Sequence, residues 1–339
     1  MPSYTRAEAK EWARSTWRGA CNAIIPSFTS DLTSLNEAAI RHDVRRNIEL
    51  GFWGALLVSE TATTMDEMAR FMEIAVDEGA GRHQFVLQLS FDTLEQMTRA
   101  SRIAQDVGVD AVLMAHPNSF YPMTAGELAE FTRAVCTASD LGVILFCAPH
   151  YNFKRLDPSG YPLEVWDELV DLETVVALKY EVGQPGVVGS FECLRRFADR
   201  GVLVCDPYEP NLLLWSEIFE TPWVGTSNYE YLGDVVPRML THVAAGERLA
   251  AVELYWQAQP AREMRERLRR EALGANYNHR YVWKYQSWLM GYNGGPLRSP
   301  VMKLTDAQMT SAAAGLIASG LLDREPPAAT EFYEGRNPA

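Results

Sequence analysis

Short aliphatic and β-branched runs alternate with amphipathic stretches from about residue 20 to residue 245, and the alternation repeats eight times. ACNAIIPSF, GALLVS, QFVLQLS, AVLMA, GVILFCAP, TVVALKY, GVLVCDP and PWVGTS have the length and side-chain type of buried strands. Between them lie segments with helical spacing. SLNEAAIRHDVRRNIELG ends at Gly51 in the usual helix-stop manner, and TAGELAEFTRAVCTASDLG opens on Thr124, an N-cap three residues before Glu127. Strand and helix repeating at this interval predict a parallel sheet. Eight units with no G-x-G-x-x-G turn after the first strand favour a closed (β/α)8 TIM barrel over an open doubly wound sheet.

After residue 245 the strand signal stops. ERLAAVELYWQAQPAREMRERLRREAL, NYNHRYVWKYQSWLMGYNG and TDAQMTSAAAGLIASGLL each read as a helix, the last capped near its start by a threonine or aspartate. The expected organisation is therefore a barrel over 17–245, a C-terminal helical extension over 246–322 and a tail over 323–339. That tail, REPPAATEFYEGRNPA, is Pro-rich and polar, so an extended, loosely held segment is expected.

Composition narrows the partners. With 339 residues and 47% hydrophobic content the chain can bury a large core, and 31 basic against 44 acidic residues give a net charge of −13. That balance argues against nucleic acid or an anionic membrane as the main partner and favours small molecules. The five cysteines, Cys21, Cys136, Cys147, Cys193 and Cys205, form no C-x-x-C pair and fit reduced, buried thiols. No signal-peptide core and no apolar run of membrane-spanning length is present, so a cytoplasmic location is expected. The six histidines are scattered, no metal-binding spacing or phosphate loop appears, and no metal or cofactor is expected. REMRERLRR mixes its charges at helical spacing and reads as a solvated helix face.

One residue breaks the apolar pattern. VVALKY carries Lys179 at the end of strand six, where a barrel usually bears its chemistry. Alternation puts Val175, Ala177 and Lys179 on one face, and burial there disfavours the charged amine. A neutral amine can attack a ketone to form a Schiff base. The competing reading is a lysine whose tip reaches solvent or pairs with Glu181 or Glu60.

The succession WRGACNAIIPSFTSDLTSLNEAAIRHDVRRNIELGFWGALLVS, VILFCAP, VVALKYE and VVPRMLTHVAAGERLAAVELYWQ resembles the dihydrodipicolinate synthase and N-acetylneuraminate lyase family of class I aldolases. The resemblance runs from roughly residue 17 to residue 320. NFKRLDP and GYNGGPLRSP look most like the hydratase-aldolases that act on arylidene-pyruvates. It implies a barrel with C-terminal helices, commonly a homotetramer, and a strand-six lysine that forms an imine with pyruvate or another 2-oxo acid; Lys179 matches that lysine.

The chain also departs from that family. Where the family carries a proton-relaying tyrosine at the end of strand five, this chain has Phe146, which has no hydroxyl. Tyr151 is the first candidate to replace it, ahead of His150, His116, Tyr121 and Tyr180; each also has a plain reading as a packed loop residue. The family's G-T-T-G-E type carboxylate-binding loop is replaced by VSETATTMDEM, where Ser59, Thr61 and Thr63 offer hydroxyls and Glu60 aligns with the family glutamate, its default reading being a solvated carboxylate. Losing the glycines must reshape that turn. After strand four, HPNSFYP puts Asn118 and Ser119 near a common aromatic pair, and Asp206 after strand seven either reaches the mouth or caps the following helix.

The sequence thus reads as a Schiff-base-forming lyase, of aldolase or hydratase-aldolase type, acting on a small carbonyl compound through Lys179. Two alternatives stay open. One is a relative that uses the lysine for a different dehydration, decarboxylation or condensation. The other is a non-catalytic barrel that binds a small ligand.

Overall fold

The computed structural model describes residues 2–339 except 118, 152, 182–185, 274–279, 300–302, 324 and 327. The strands β1 (Gly19–Ile24), β2 (Gly54–Leu57), β3 (Gln84–Leu89), β4 (Ala111–Met114), β5 (Gly142–Cys147), β6 (Val175–Tyr180), β7 (Leu203–Cys205) and β8 (Trp223–Gly225) coincide with the eight apolar runs, β1 starting one residue before its run. They form one sheet in the order β7-β6-β5-β4-β3-β2-β1-β8. Pairing is parallel, with Leu145 beside Leu178 and Gly19 beside Trp223. The Cys205 thiol donates to the Gly225 carbonyl at 3.0 Å, linking β7 to β8. The fold is a (β/α)8 TIM barrel followed by C-terminal helices.

The helices are α1 (Ala9–Thr16), α2 (Glu37–Glu49), α3 (Met65–Gly79), α4 (Leu94–Val107), α5 (Ala125–Cys136), α6 (Leu163–Leu169), α7 (Val187–Phe197), α8 (Leu212–Ser216), α9 (Val235–Ala244), α10 (Arg248–Gln257), α11 (Gln259–Leu273), α12 (Arg280–Leu289), α13 (Asp306–Ala318) and α14 (Ala329–Glu334). Their starts follow local chemistry. Thr64, Thr93 and Thr305 make reciprocal caps with Glu67, Gln96 and Gln308, and Thr124 accepts from the Glu127 amide as its spacing predicts. The single helix expected over 247–273 is two, because Pro260 has no N–H to continue the ladder and starts a new helix instead. Among the described residues no helix is long and apolar enough to cross a membrane.

Residue contacts gather into two compact units, Met1–Cys21 with Gln84–Thr226, and Asn22–His83 with Ser227–Ala339. In the first, the Tyr4 hydroxyl donates to the Asp110 carbonyl at 2.5 Å and accepts from the Gly142 amide at 2.7 Å. Lys10 on α1 donates to the Val170 carbonyl. The N-terminal segment is thereby tied to the starts of β4 and β5, leaving the strand ends for chemistry.

In the second unit, the tail is not loosely held. Phe332 on α14 is fully buried against Tyr285 and Trp288, and its carbonyl accepts from Gly295 at 2.7 Å. Arg336 donates to the carbonyls of Tyr292 and Trp288, and the Asn337 amide donates to the Asn293 side chain. One buried aromatic in a polar stretch supplies the anchor that the stretch's composition conceals.

A polar network runs through the same unit. Asn22 Oδ1 accepts from the amides of Tyr229 and Glu230, while its Nδ2 donates to Asn47 Oδ1, which also accepts from Tyr292. Glu230 is 2% exposed, and burial outweighs nearby Arg265 to push its carboxyl up to about 8, with Asp43 adding to the rise. The sign follows from linkage. The fold binds this proton more tightly than the unfolded chain does, so stability falls as pH rises from the ordinary glutamate range through about 8. A Glu230→Gln protein should therefore melt near the wild-type temperature at pH 4.5 and on the order of 5 °C higher at pH 9. Equal melting at both pH values would contradict a buried neutral carboxyl.

Candidate active site

Every residue of β6 is buried, and Lys179 is 5% exposed. Its Nζ donates to the Thr226 carbonyl at 2.6 Å, lies 3.4 Å from Glu181 Oε2 and sits 4.1 Å from the centre of the Phe146 ring. Strand register explains the set. Lys179 pairs with Phe146 on β5 and with Cys205 on β7, so aromatic and thiol flank the amine, and Glu181, two residues on, shares its face. Burial pushes the Cys205 thiol up to about 12 and the Cys21 thiol higher still, with Lys179 pulling both the other way, so both stay neutral. The amine thus stands on uncharged groups with one carbonyl, one carboxylate and one π face as partners. Thr226 Oγ1 is buried beside that carbonyl, with no hydrogen-bond partner among the described residues.

The structure separates the expected mouth residues. Tyr151, on the 3-10 turn Pro149–Tyr151, packs edge-on to Phe146 with ring centres 5.7 Å apart and touches both His150 and His116. It therefore lies one ring away from the lysine. His116 is a core residue: Thr132 Oγ1 gives its proton to the Leu128 carbonyl and so accepts from His116 Nε2 at 3.2 Å. Burial, with His150 adding, pulls the His116 imidazole down to about 3, so it stays neutral among Phe120, Phe153 and Tyr151.

Two candidates are corrected. Tyr180 occupies the opposite face of β6, buried against Trp166, and cannot serve the amine. Asp206 is a capping carboxylate, since its oxygens accept from the Tyr208 amide, Asn211 Nδ2 and Trp215 Nε1. Tyr121 is exposed and carries the Arg155 guanidinium 3.7 Å above its ring; Arg155 Nε and Nη2 have no hydrogen-bond partner among the described residues. Ser119 is exposed, and Asn118 lies outside the described residues.

The loop after β2 belongs to the second unit. Ser59 and Thr61 are buried, the Thr61 amide donates to the Ser59 carbonyl at 3.0 Å, and Thr61 Oγ1 has no hydrogen-bond partner among the described residues. Without glycines the turn puts Ala62 at φ 58°, and Arg298, held bidentately by Glu67, donates to its carbonyl. Glu60 is not a solvated carboxylate but the ion-pair partner of Arg280 on α12, which stacks on Trp283. The same helix carries a second buried lysine that the sequence reading missed. Lys284 donates to the Pro26 carbonyl and Ser27 Oγ, and burial pulls its amine down to about 8 against the attraction of Asp43.

A parallel eight-stranded barrel thus carries a buried amine at the end of its sixth strand, where barrels usually bear their chemistry. The model of the dihydrodipicolinate synthetase family matches residues 16–318, and the chain belongs to that family. A 4-hydroxy-tetrahydrodipicolinate synthase of Methanopyrus kandleri is 30% identical over 144 residues, 41% of this chain and 48% of that protein. An N-acetylneuraminate lyase of Clostridium perfringens is 23% identical over 168 residues, 48% of this chain and 56% of that protein. The chain spans about half the length of these two relatives. A synthase of Methanosarcina barkeri is 25% identical over 91% of this chain and all of that protein. Among solved structures, dihydrodipicolinate synthase of Thermotoga maritima superposes with a TM-score of 0.73 at 16% identity, covering 91% of this chain and 100% of that one. N-acetylneuraminate lyase of Fusobacterium nucleatum complexed with pyruvate superposes with a TM-score of 0.71 at 17% identity, covering 89% and 97%. These superpositions concern the fold alone.

Proposed function

We propose that the protein is a lyase that forms an imine between Lys179 and a 2-oxo acid of the pyruvate type. The observation that carries this is the buried Lys179 amine, held between the Thr226 carbonyl and Glu181 at a strand end. Once neutral, the amine adds to the ketone carbon, and loss of water leaves an iminium ion that draws electrons from the neighbouring carbon. Removal of a proton there gives an enamine, which attacks an aldehyde; the reverse sequence cleaves the same bond. Loss or addition of water next to that bond follows from the same polarisation.

The aromatic face of Phe146 beside the amine, with Tyr151 packed against that ring, supports an apolar or aromatic partner aldehyde, as in a hydratase-aldolase. Phe146 supports a second reading, in which the imine serves a different dehydration, decarboxylation or condensation that needs no hydroxyl at that point. A homo-oligomer is favoured by the apolar side chains of Val187, Val188, Phe191, Leu214 and Ile218, exposed on and beside α7 and α8. Five free, buried cysteines suit a reducing compartment such as the cytoplasm.

Borohydride reduction in the presence of pyruvate tests the imine. The expected product is one adduct per chain, heavier by the mass of pyruvate less one oxygen, on the peptide containing Lys179. No adduct with pyruvate or a panel of other 2-oxo acids would leave a noncovalent reaction or a binding protein.

A further inference from the structure

We propose that Glu181 is the acid–base residue of the Lys179 amine, occupying the chemical place of the hydroxyl that Phe146 lacks. This assignment rests on the imine reading. Glu181 Oε2 lies 3.4 Å from Nζ, on the same face of the chain as Lys179, and its side chain is 44% exposed while that of Lys179 is 6% exposed. The carboxylate therefore touches the reacting nitrogen on one side and exchanges protons with water on the other.

The remaining groups around the amine serve this role poorly. Cys205 and Cys21 are neutral, buried thiols, and the Thr226 carbonyl only accepts. Phe146 contributes its ring face, Asp206 is engaged by three donors, and His116 is bonded to Thr132. Tyr151 packs edge-on to Phe146 with ring centres 5.7 Å apart. The sequence allowed Glu181 only as an ion-pair partner for Lys179.

The proton account balances. Glu181 takes a proton from the ammonium, leaving a free amine and a neutral acid. The amine adds to the ketone, and a proton passes from nitrogen to oxygen to give the carbinolamine. Glu181 then returns its proton to the carbinolamine hydroxyl, which leaves as water as the C=N bond forms. The net change is ammonium plus ketone to iminium plus water, with the carboxylate regenerated. The same carboxylate then accepts a proton from the carbon next to the iminium carbon, yielding the enamine.

A purely structural pair predicts something else. If Glu181 were only a counter-charge, removing it would take away the anion that favours the charged amine and would not slow attack on the ketone. Wild type, Glu181→Gln, Glu181→Asp, Glu181→Ala with and without formate, and Lys179→Ala would be compared for the rate of cyanoborohydride trapping with pyruvate from pH 5 to 9. Exchange of the pyruvate methyl protons with deuterium oxide would be followed in parallel.

Glu181→Gln is expected to melt like the wild type and to be trapped still at Lys179. Both its rates should fall by roughly 100-fold, with a changed pH profile. Glu181→Asp should recover part of the loss, and formate should partly rescue Glu181→Ala. Wild-type rates and pH profile in Glu181→Gln, or faster trapping at low pH, would overturn the assignment while leaving the imine intact. Absence of any adduct in the wild type would instead remove the imine reading, and this assignment with it.

Discussion

A Lys179→Met protein is expected to fold, to give no adduct with pyruvate under borohydride, and to lose turnover by on the order of 1,000-fold or more. Methionine fills most of the lysine's volume without supplying a nucleophile, so the loss reports chemistry and not a cavity. Lys179 is the buried amine on which the imine mechanism depends, and no other step replaces it. Lys284 supplies the control. Lys284 is buried as well, and burial pulls its own amine down to about 8, but two hydrogen bonds to Pro26 and Ser27 occupy it, so a borohydride adduct should not appear there. Peptide mapping with pyruvate separates the two sites. Retention of turnover in Lys179→Met, or an adduct mapped to Lys284, would defeat the assignment. Folding is checked by circular dichroism, since the Thr226 carbonyl loses its donor at a cost of about 1 kcal/mol.

The barrel is legible because its signal is local. Each strand is a short apolar run, and several helices open on a threonine whose partner lies three residues away. Lys179 is legible for the same reason, as a charge inside such a run. What escapes is set by contacts between segments far apart in the chain. Glu60 looks solvated in its loop, yet its partner Arg280 follows 220 positions later. Phe332 sits in a Pro-rich tail, and only the side chains of Tyr285 and Trp288 reveal that it is an anchor.

Asp206 and Glu181 show two further limits. The choice between a mouth carboxylate and a cap depends on where Trp215 Nε1 points, which residue order does not specify. Glu181 was within reach, because alternation alone puts it on the face of Lys179. Its reading as a simple counter-charge used the position and not the chemistry. An amine with no hydroxyl on its β5 neighbour needs a proton acceptor, and the nearby carboxylate meets that need.

Gly225→Ala is expected to damage both the barrel and the site, because a single methyl there has no room. A Cβ at this position would lie 2.6 Å from Cys21 Cβ, 3.0 Å from the Trp223 ring and 3.2 Å from the Cys21 carbonyl oxygen. Cys21 is the β1 partner of Gly225 in the ladder, so neither side can swing away and strand separation is the available relief. Overpacking of this kind costs roughly 1–3 kcal/mol or more. A functional effect comes on top of that cost, since the Gly225 carbonyl accepts from the Cys205 thiol and the next residue's carbonyl holds Lys179 Nζ. A shift of about 1 Å in the Thr226 carbonyl releases the amine from its position and lowers imine formation by about 100-fold. Thermal melting and pyruvate trapping would be measured together on Gly225→Ala and on Gly225→Ala with Cys21→Gly. The double variant removes the atom in closest conflict and should recover much of both losses, leaving the 3.0 Å approach to the Trp223 ring and the 3.2 Å approach to the Cys21 carbonyl as the residual strain. Wild-type melting and trapping in Gly225→Ala would mean that the β1 and β8 pairing is looser than its register implies, and that Lys179 is not positioned through this edge of the barrel.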